Sequence, residues 1–177
     1  MNAFARRMFG AAVLDRRTYE EVEADSRATG QAIGVVLLAS VAGGIGLAGR
    51  GVSDFHALIV GVSGSLVGWI AWATLTYLIG TQLLPEPQTR ADVGELLRTI
   101  GFASVPGLLR VLGVIPLVGL PIFAIASIWM LLAMIVAVRQ ALDYRSTGRA
   151  IGVCVLGWTL SLVVAAIIGI VFAPSVS

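Results

Sequence analysis

The stretch FASVPGLLRVLGVIPLVGLP, from Phe102 to Pro121, is almost entirely apolar but contains one arginine and three prolines. An apolar run of about 20 residues is long enough, as an α-helix, to cross the hydrocarbon core of a membrane. Proline interrupts such a helix, because it has no backbone N–H and its ring clashes with the preceding turn. The stretch therefore predicts either a membrane span bent at Pro106 or a hairpin that enters and leaves on one side.

The rest of the chain has the same apolar character. Of its 177 residues, 58% are hydrophobic and only 12% are charged, which is far from the average soluble domain. Short polar segments separate five long apolar runs, namely 28–49, 57–84, 96–115, 118–138 and 150–173. We predict an all-α integral membrane bundle with five transmembrane helices. Residues 1–27 form a short cytoplasmic, amphipathic N-terminal segment, and residues 28–177 form the five-span membrane domain.

The basic residues, all twelve of which are arginines, predict the orientation of the bundle. With a cytoplasmic N-terminus and five spans, ten arginines lie inside and only Arg50 and Arg110 lie outside. Cytoplasmic loops carry such an excess of positive charge. If the third run were a hairpin instead, the division would be eight against four. The distribution predicts a multi-pass protein of the cell (inner, plasma) membrane with its C-terminus outside and a third run that crosses.

The N-terminal segment has the pattern of a short amphipathic helix. Its apolar residues recur at helical spacing, and two arginines fall between them. Such helices lie on the anionic inner leaflet, with apolar side chains in the bilayer and basic ones at the head groups. The predicted membrane-surface residues are Phe4, Arg6, Arg7 and Met8.

The third apolar run contains the charges closest to the membrane interior, which are Glu95, Arg98 and Arg110. Charges within spans are rare and are candidate functional sites. Arg98 falls near the inner end of the run and Arg110 near the outer end. The Arg110 guanidinium either extends to the interface or is paired within the bundle, and the sequence leaves both open.

Several glycines predict close packing between spans. Gly30 and Gly34, like Gly64 and Gly68, lie four residues apart, a spacing that lets helix backbones approach each other. The run GIGLAG, residues 44–49, matches a dinucleotide-binding fingerprint but has no preceding strand. We interpret it as a packing surface.

The sequence lacks the patterns of catalysis and of cofactor binding. It contains no paired metal ligands, no phosphate-binding loop and no nucleophile with a nearby base. The arginines alternate with acids and have no interleaved aromatic surface, which excludes the usual pattern of nucleic-acid binding. We predict a protein that is not an enzyme, has no cofactor or metal, and binds no nucleic acid.

The third and fourth runs carry a family resemblance. RTIGFASVPGLL, residues 98–109, followed by VIPLVG and IASIWMLLAMIVAVRQAL, resembles the Yip domain family of Ypt/Rab-interacting integral membrane proteins. The N-terminal YEEVEADSRATGQAI, residues 19–33, is similar to bacterial members. The third-span motif of that family is roughly Tyr-Gly-Tyr-Ala/Ser followed by a proline. Here Ile100 replaces the first tyrosine, and the positions that match are Gly101, Phe102, Ala103 and Pro106.

The resemblance implies a five-span bundle with a cytoplasmic N-terminus. Eukaryotic members bind prenylated small GTPases in vesicle trafficking, and they carry an Asp-Leu-Tyr-Gly-Pro motif that this sequence lacks. We therefore do not predict binding of a small GTPase.

Two functions from different classes are compatible with these observations. The first is a non-enzymatic membrane scaffold that recruits partners or organises the bilayer. Its partners would be lipids, other membrane proteins or a second copy of the chain. The alternative is a small transporter or channel subunit, in which the kinked third span places Arg98 and Arg110 along an anion pathway.

Overall fold

The structure is a computed structural model that describes residues 2–48, 55–115 and 117–171. Every regular element in these ranges is helical. The elements are α1 (Ala3–Ala12), α2 (Arg16–Ala24), α3 (Ala28–Ala48), α4 (Phe55–Leu78) with a π-helical turn (Ile79–Leu83), α5 (Val93–Ala103), a 3-10 helix (Val105–Val114), α6 (Gly119–Ala141) and α7 (Thr147–Val171). Arg50, Pro116 and the predicted end of the fifth run at residue 173 lie outside the described residues.

Five helical segments are long and apolar enough to cross a membrane. They are Ala28–Ala48, Phe55–Leu83, Val93–Val114, Gly119–Ala141 and Thr147–Val164. Each coincides with one of the predicted runs, and the ends differ by a few residues. The predicted number of spans and the all-α class are therefore confirmed.

The third span consists of two helices of different type. The α-helix ends at Ala103, and the 3-10 helix follows directly after Ser104. Pro106 has no N–H to donate, so it fits the first turn of the second helix, where the N–H of Gly107 donates to the carbonyl of Ser104. We predicted an α-helix with a kink at Pro106. The structure instead changes from an α-helix to a 3-10 helix at this point. Because a 3-10 helix rises about 2.0 Å per residue, the second half of the span is long and thin.

The thin half of the third span packs closely on α3. A Cβ atom at Gly46 would lie 2.0 Å from the backbone oxygen of Arg110, and one at Gly113 would lie 3.1 Å from the Cα of Gly46. Only glycine fits at such contacts. A Cβ at Gly44 would likewise meet the side chain of Leu58 at 2.4 Å, so Gly44 and Gly46 confirm the packing interpretation of GIGLAG.

The other predicted glycine contacts are wrong. A Cβ atom at Gly30, Gly34, Gly64 or Gly68 would meet nothing within 4 Å. The spacing of four residues places two glycines on one helix face, but it carries no information about whether another helix covers that face. These positions are open, and the backbone contacts form elsewhere.

Tyr144, in the turn between α6 and α7, holds the π-helical turn at the C-terminal end of α4. Its hydroxyl lies 2.9 Å from the carbonyl oxygen of Gly80 and 2.7 Å from that of Leu84. A π-helical turn shifts the backbone hydrogen bonds by one residue, and the tyrosine supplies a donor to this shifted backbone. Burial raises the pKa of Tyr144 to about 12, so the hydroxyl keeps its proton.

Candidate functional site

Helices α1 and α2 form a hairpin, hereafter the N-terminal hairpin (residues 3–24), which is held together by Arg7. The guanidinium of Arg7 donates to Glu21 at 2.9 Å, to Asp25 at 2.8 Å and to Gln31 at 3.0 Å. Charged groups away from water are stable only when they are paired and hydrogen-bonded. One side chain therefore fixes α1 to α2 and to the first turn of α3.

The hairpin does not lie as a separate layer on the bundle. Phe4, predicted to face the bilayer, meets Phe102 of the third span edge to face, with ring centroids 6.4 Å apart. Met8 packs on the buried core. The Arg6 guanidinium donates to Glu21 at 2.8 Å but is largely exposed. The structure thus turns Phe4, Arg7 and Met8 toward protein groups, and lipid contact by the segment stays a prediction.

Two side chains of α6 fasten the hairpin to the bundle. The Nε1–H of Trp129 donates to the carbonyl of Ala12 at 2.8 Å, and the amide of Gln140 donates to Glu20 at 2.8 Å. Trp129 stands near the middle of α6, about 15 Å from Arg139 along the helix axis. The corner of the hairpin therefore lies beside the middle of a membrane span.

Arg98, in the α-helical half of the third span, binds the hairpin. Its Nε and Nη2 atoms both donate to the carbonyl oxygen of Glu23, at 3.0 Å and 2.5 Å. Glu23 belongs to the last turn of α2, where carbonyls have no partner within the helix and favour a cation. Arg98 thus caps α2. Glu95 has a local role, because it forms a reciprocal capping box with Asp92 at the start of α5.

A cavity of about 730 Å³ lies between α3, α4 and α6, beside the third span. Its walls are mainly glycine, alanine and aromatic side chains. Among the described residues that line it, Arg110 is the one with a charge. Its guanidinium donates to the hydroxyl of Ser127 at 3.0 Å and lies over the ring of Phe123, 5.3 Å from the centroid.

The Nε–H of Arg110 is buried and has no hydrogen-bond partner among the described residues. A buried N–H without a partner is rare and indicates a missing acceptor. Of the two alternatives left open by the sequence, the structure shows a guanidinium partly engaged within the bundle. Arg98 is not among the described residues that line this cavity, and it contacts Glu23 of the hairpin instead.

The comparisons with known proteins give one match. The family model of the Yip1 domain matches residues 12–168, which is most of the chain. The chain belongs to the Yip1 domain family. The match begins at the corner of the N-terminal hairpin and includes α2. No curated protein and no solved structure matches significantly.

The motif residues of this Yip1 domain lie where the third span meets α1 and α3. A Cβ at Gly101 would be 2.7 Å from the Cβ of Ala32, so glycine permits close approach of α5 and α3. Phe102 and Ala103 are buried, and Pro106 opens the 3-10 helix. Their positions are those of packing residues.

Glu23 is an acidic residue of the Yip1 domain that the sequence did not single out. Burial raises its pKa to about 7, and the negative charges of Glu95, Asp143 and Glu20 add to the shift, while Arg98 opposes it. The sequence could not show that these carboxylates surround Glu23, because they come from α2, α5 and the α6–α7 turn. The carboxyl group therefore changes charge near neutral pH.

Glu23→Gln is expected to remove a pH dependence of stability. A carboxyl whose pKa is raised on folding stabilises the protein below its ordinary value, and that contribution is lost as pH rises toward 7. Because the side chain is half-buried, we expect the free energy of unfolding of the wild type to fall by about 1–2 kcal/mol between pH 4.5 and 8 through this group. Glutamine mimics the protonated form, so the variant should be the more stable above pH 7. Melting curves across this range that keep the wild-type slope would contradict the assignment.

Side chains that could hold a metal ion do not cluster in the part of the chain that the structure describes. Within the described ranges, no group of three metal-ligating side chains is found. Cys154 is a free cysteine, buried in α7. The structure contains a hairpin fixed along α6 and an apolar cavity beside Arg110.

Proposed function

We propose that this Yip1-family protein is a non-enzymatic scaffold of the cell membrane that recruits a cytoplasmic partner through its N-terminal hairpin. The observation that supports the proposal is the fastening of the hairpin, through Arg7, Arg98 and Trp129, to three of the spans. A docking surface gains affinity when it is ordered before the partner arrives. The hairpin is ordered by the bundle itself.

The outer face of the hairpin has the composition of a polar docking surface. Arg16, Arg17 and Glu20 are exposed on α2, while the buried side of the same helix carries Tyr19 and Val22. Charges of both signs on a fixed helix give specificity and faster association. The proposed orientation, with the N-terminus in the cytoplasm and the C-terminus outside, follows the excess of arginine on the hairpin side.

A single-cysteine variant tests the orientation and the partner together. In a Cys154→Ala background, Arg17→Cys should react with a membrane-impermeant thiol reagent in inverted vesicles but not in right-side-out vesicles. A thiol-directed crosslinker at the same position should then give one discrete protein adduct from native membranes with cytoplasm. The matched control is Val67→Cys, an exposed position in α4, which should give neither product.

The result that would contradict the proposal is equally specific. Reaction of Arg17→Cys only in right-side-out vesicles would reverse the orientation. Adducts with many proteins at both positions, in proportion to their abundance, would indicate that the hairpin recruits no particular partner.

A further inference from the structure

The cavity beside Arg110 opens toward the side of the bundle. Phe55, Gly61, Ser65 and Gly68 line it and are exposed. In a protein that spans the membrane, the medium on this side is made of acyl chains. The gap is therefore in contact with lipid rather than with water along most of its length.

The shape of the cavity comes from the open glycines of α4. A Cβ at Gly61 or Gly68 would meet nothing within 4 Å, so both residues leave space where a larger side chain would fill it. Protein interiors rarely keep voids of this size empty, and ligand sites have volumes of about 300–1,000 Å³. An acyl chain lying along α4 would fill this space and contact the side chains that line it.

Two buried donors of the cavity walls have no partner among the described residues, the Nε1–H of Trp72 and the Nε–H of Arg110, and only the second belongs to a charged group. The hydroxyls of Ser40, Ser65 and Ser104 donate to carbonyls of their own helices. Arg110 uses one N–H for Ser127 and leaves Nε–H without a partner. No carboxylate among the described residues lies within ion-pair distance of it. The cavity thus joins an apolar groove to a cation that lacks an anionic acceptor.

The position of this cation matches the depth of a lipid head group. Arg110 lies in the last turns of the third span, which ends at Val114, and its backbone oxygen lies beside Gly46 near the end of α3. Phosphate is the acceptor that a guanidinium binds best, through charge-assisted hydrogen bonds. A phospholipid in the leaflet at this end would place its phosphate at Arg110 and an acyl chain along α4.

We propose that the groove between α3, α4 and the third span is a binding site for one anionic glycerophospholipid, whose phosphate binds Arg110 and whose acyl chain fills the space beside Gly61 and Gly68.

Native mass spectrometry of the detergent-purified protein with dioleoylphosphatidylglycerol tests the site. The wild type should retain one lipid per chain at low lipid concentration. Arg110→Gln should weaken this binding by about 10- to 100-fold, because a hydrogen bond to a charged group is lost. The matched control is Arg16→Gln, which removes an exposed charge from the hairpin and should change the affinity by less than about twofold.

A pair of glycine variants tests the acyl-chain part of the site. Gly61→Leu would fill the groove, whereas Gly64→Leu is equally free of neighbours but does not line the cavity. Only the first should reduce lipid binding, again by about tenfold or more, since a filled groove excludes the chain. If Gly61→Leu does not fold, Gly68→Leu replaces it.

Three outcomes would overturn the proposal. Retention of the lipid by Arg110→Gln and Gly61→Leu, at the level of their controls, would show that the lipid binds elsewhere. Equal thermal stabilisation by inorganic phosphate and by the lipid would leave no role for the groove. A change of oligomeric state in Gly61→Leu, without a change in lipid binding, would assign the groove to a second copy of the chain.

Discussion

Gly46→Ala should lower the thermal stability of the purified protein by about 3 kcal/mol, which corresponds to roughly 6–12 °C for a chain of this size. The new methyl group would lie 2.0 Å from the backbone oxygen of Arg110 and 3.2 Å from the ring of Phe123. A backbone oxygen cannot rotate away as a side chain can. The 3-10 helix or α3 must therefore move, and the contact between the two is lost.

Gly34→Ala in the same helix is the control for this prediction. A Cβ there meets nothing within 4 Å, and alanine is the better helix former by about 0.5–1 kcal/mol. The control should be as stable as the wild type or more so. Equal melting temperatures for Gly46→Ala and Gly34→Ala would show that the two helices do not touch at Gly46.

This contrast also marks how far the sequence predicts the fold. The five spans could be predicted because length and hydropathy are properties of each helix alone. Which glycines are covered depends on how the helices pack together. Gly34 and Gly46 lie in the same apolar helix. They differ because the third span packs on Gly46 and leaves Gly34 uncovered.

The structure of the third span was predicted in part. Pro106 indicated an interruption at the right place, because the loss of its N–H is a local effect. That the chain continues as a 3-10 helix of ten residues was not predictable, since such long runs are uncommon. The 3-10 helix packs closely on Gly46 of α3 through its own Gly113, and a thin helix fits this narrow space.

The candidate sites show the same division between local and long-range information. Arg98 and Arg110 could be selected from sequence as charges within an apolar run. Their partners could not, because the carbonyl of Glu23 lies 75 residues from Arg98 and Ser127 lies 17 residues from Arg110. Arg6 and Arg7 were equivalent in sequence as surface residues, yet their surroundings differ.

Arg7→Met is expected to cost about 2–3 kcal/mol of stability, while Arg6→Met should cost less than about 1 kcal/mol. The Arg7 side chain is 9% exposed, and its loss would leave Asp25 without its ion-pair partner and Glu21 with Arg6 alone. Breaking a buried ion pair costs about 3–5 kcal/mol, and we lower this figure because both carboxylates are 33% exposed. Arg6 is 57% exposed, where ion pairs contribute little.

The pH dependence of the Arg7 variant provides a second measurement. The hydrogen bonds from Arg7 hold the pKa of Glu21 and of Asp25 below their usual ranges. Their contribution to stability is therefore present above the ordinary carboxyl pKa and is lost as pH falls through the lowered values. The difference in free energy of unfolding between wild type and Arg7→Met should be constant near pH 7 and should disappear below about pH 3. If both arginines instead faced lipid phosphates, as the sequence pattern alone predicts, Arg6→Met and Arg7→Met would lose equal binding to anionic vesicles and neither would change the melting temperature in neutral detergent.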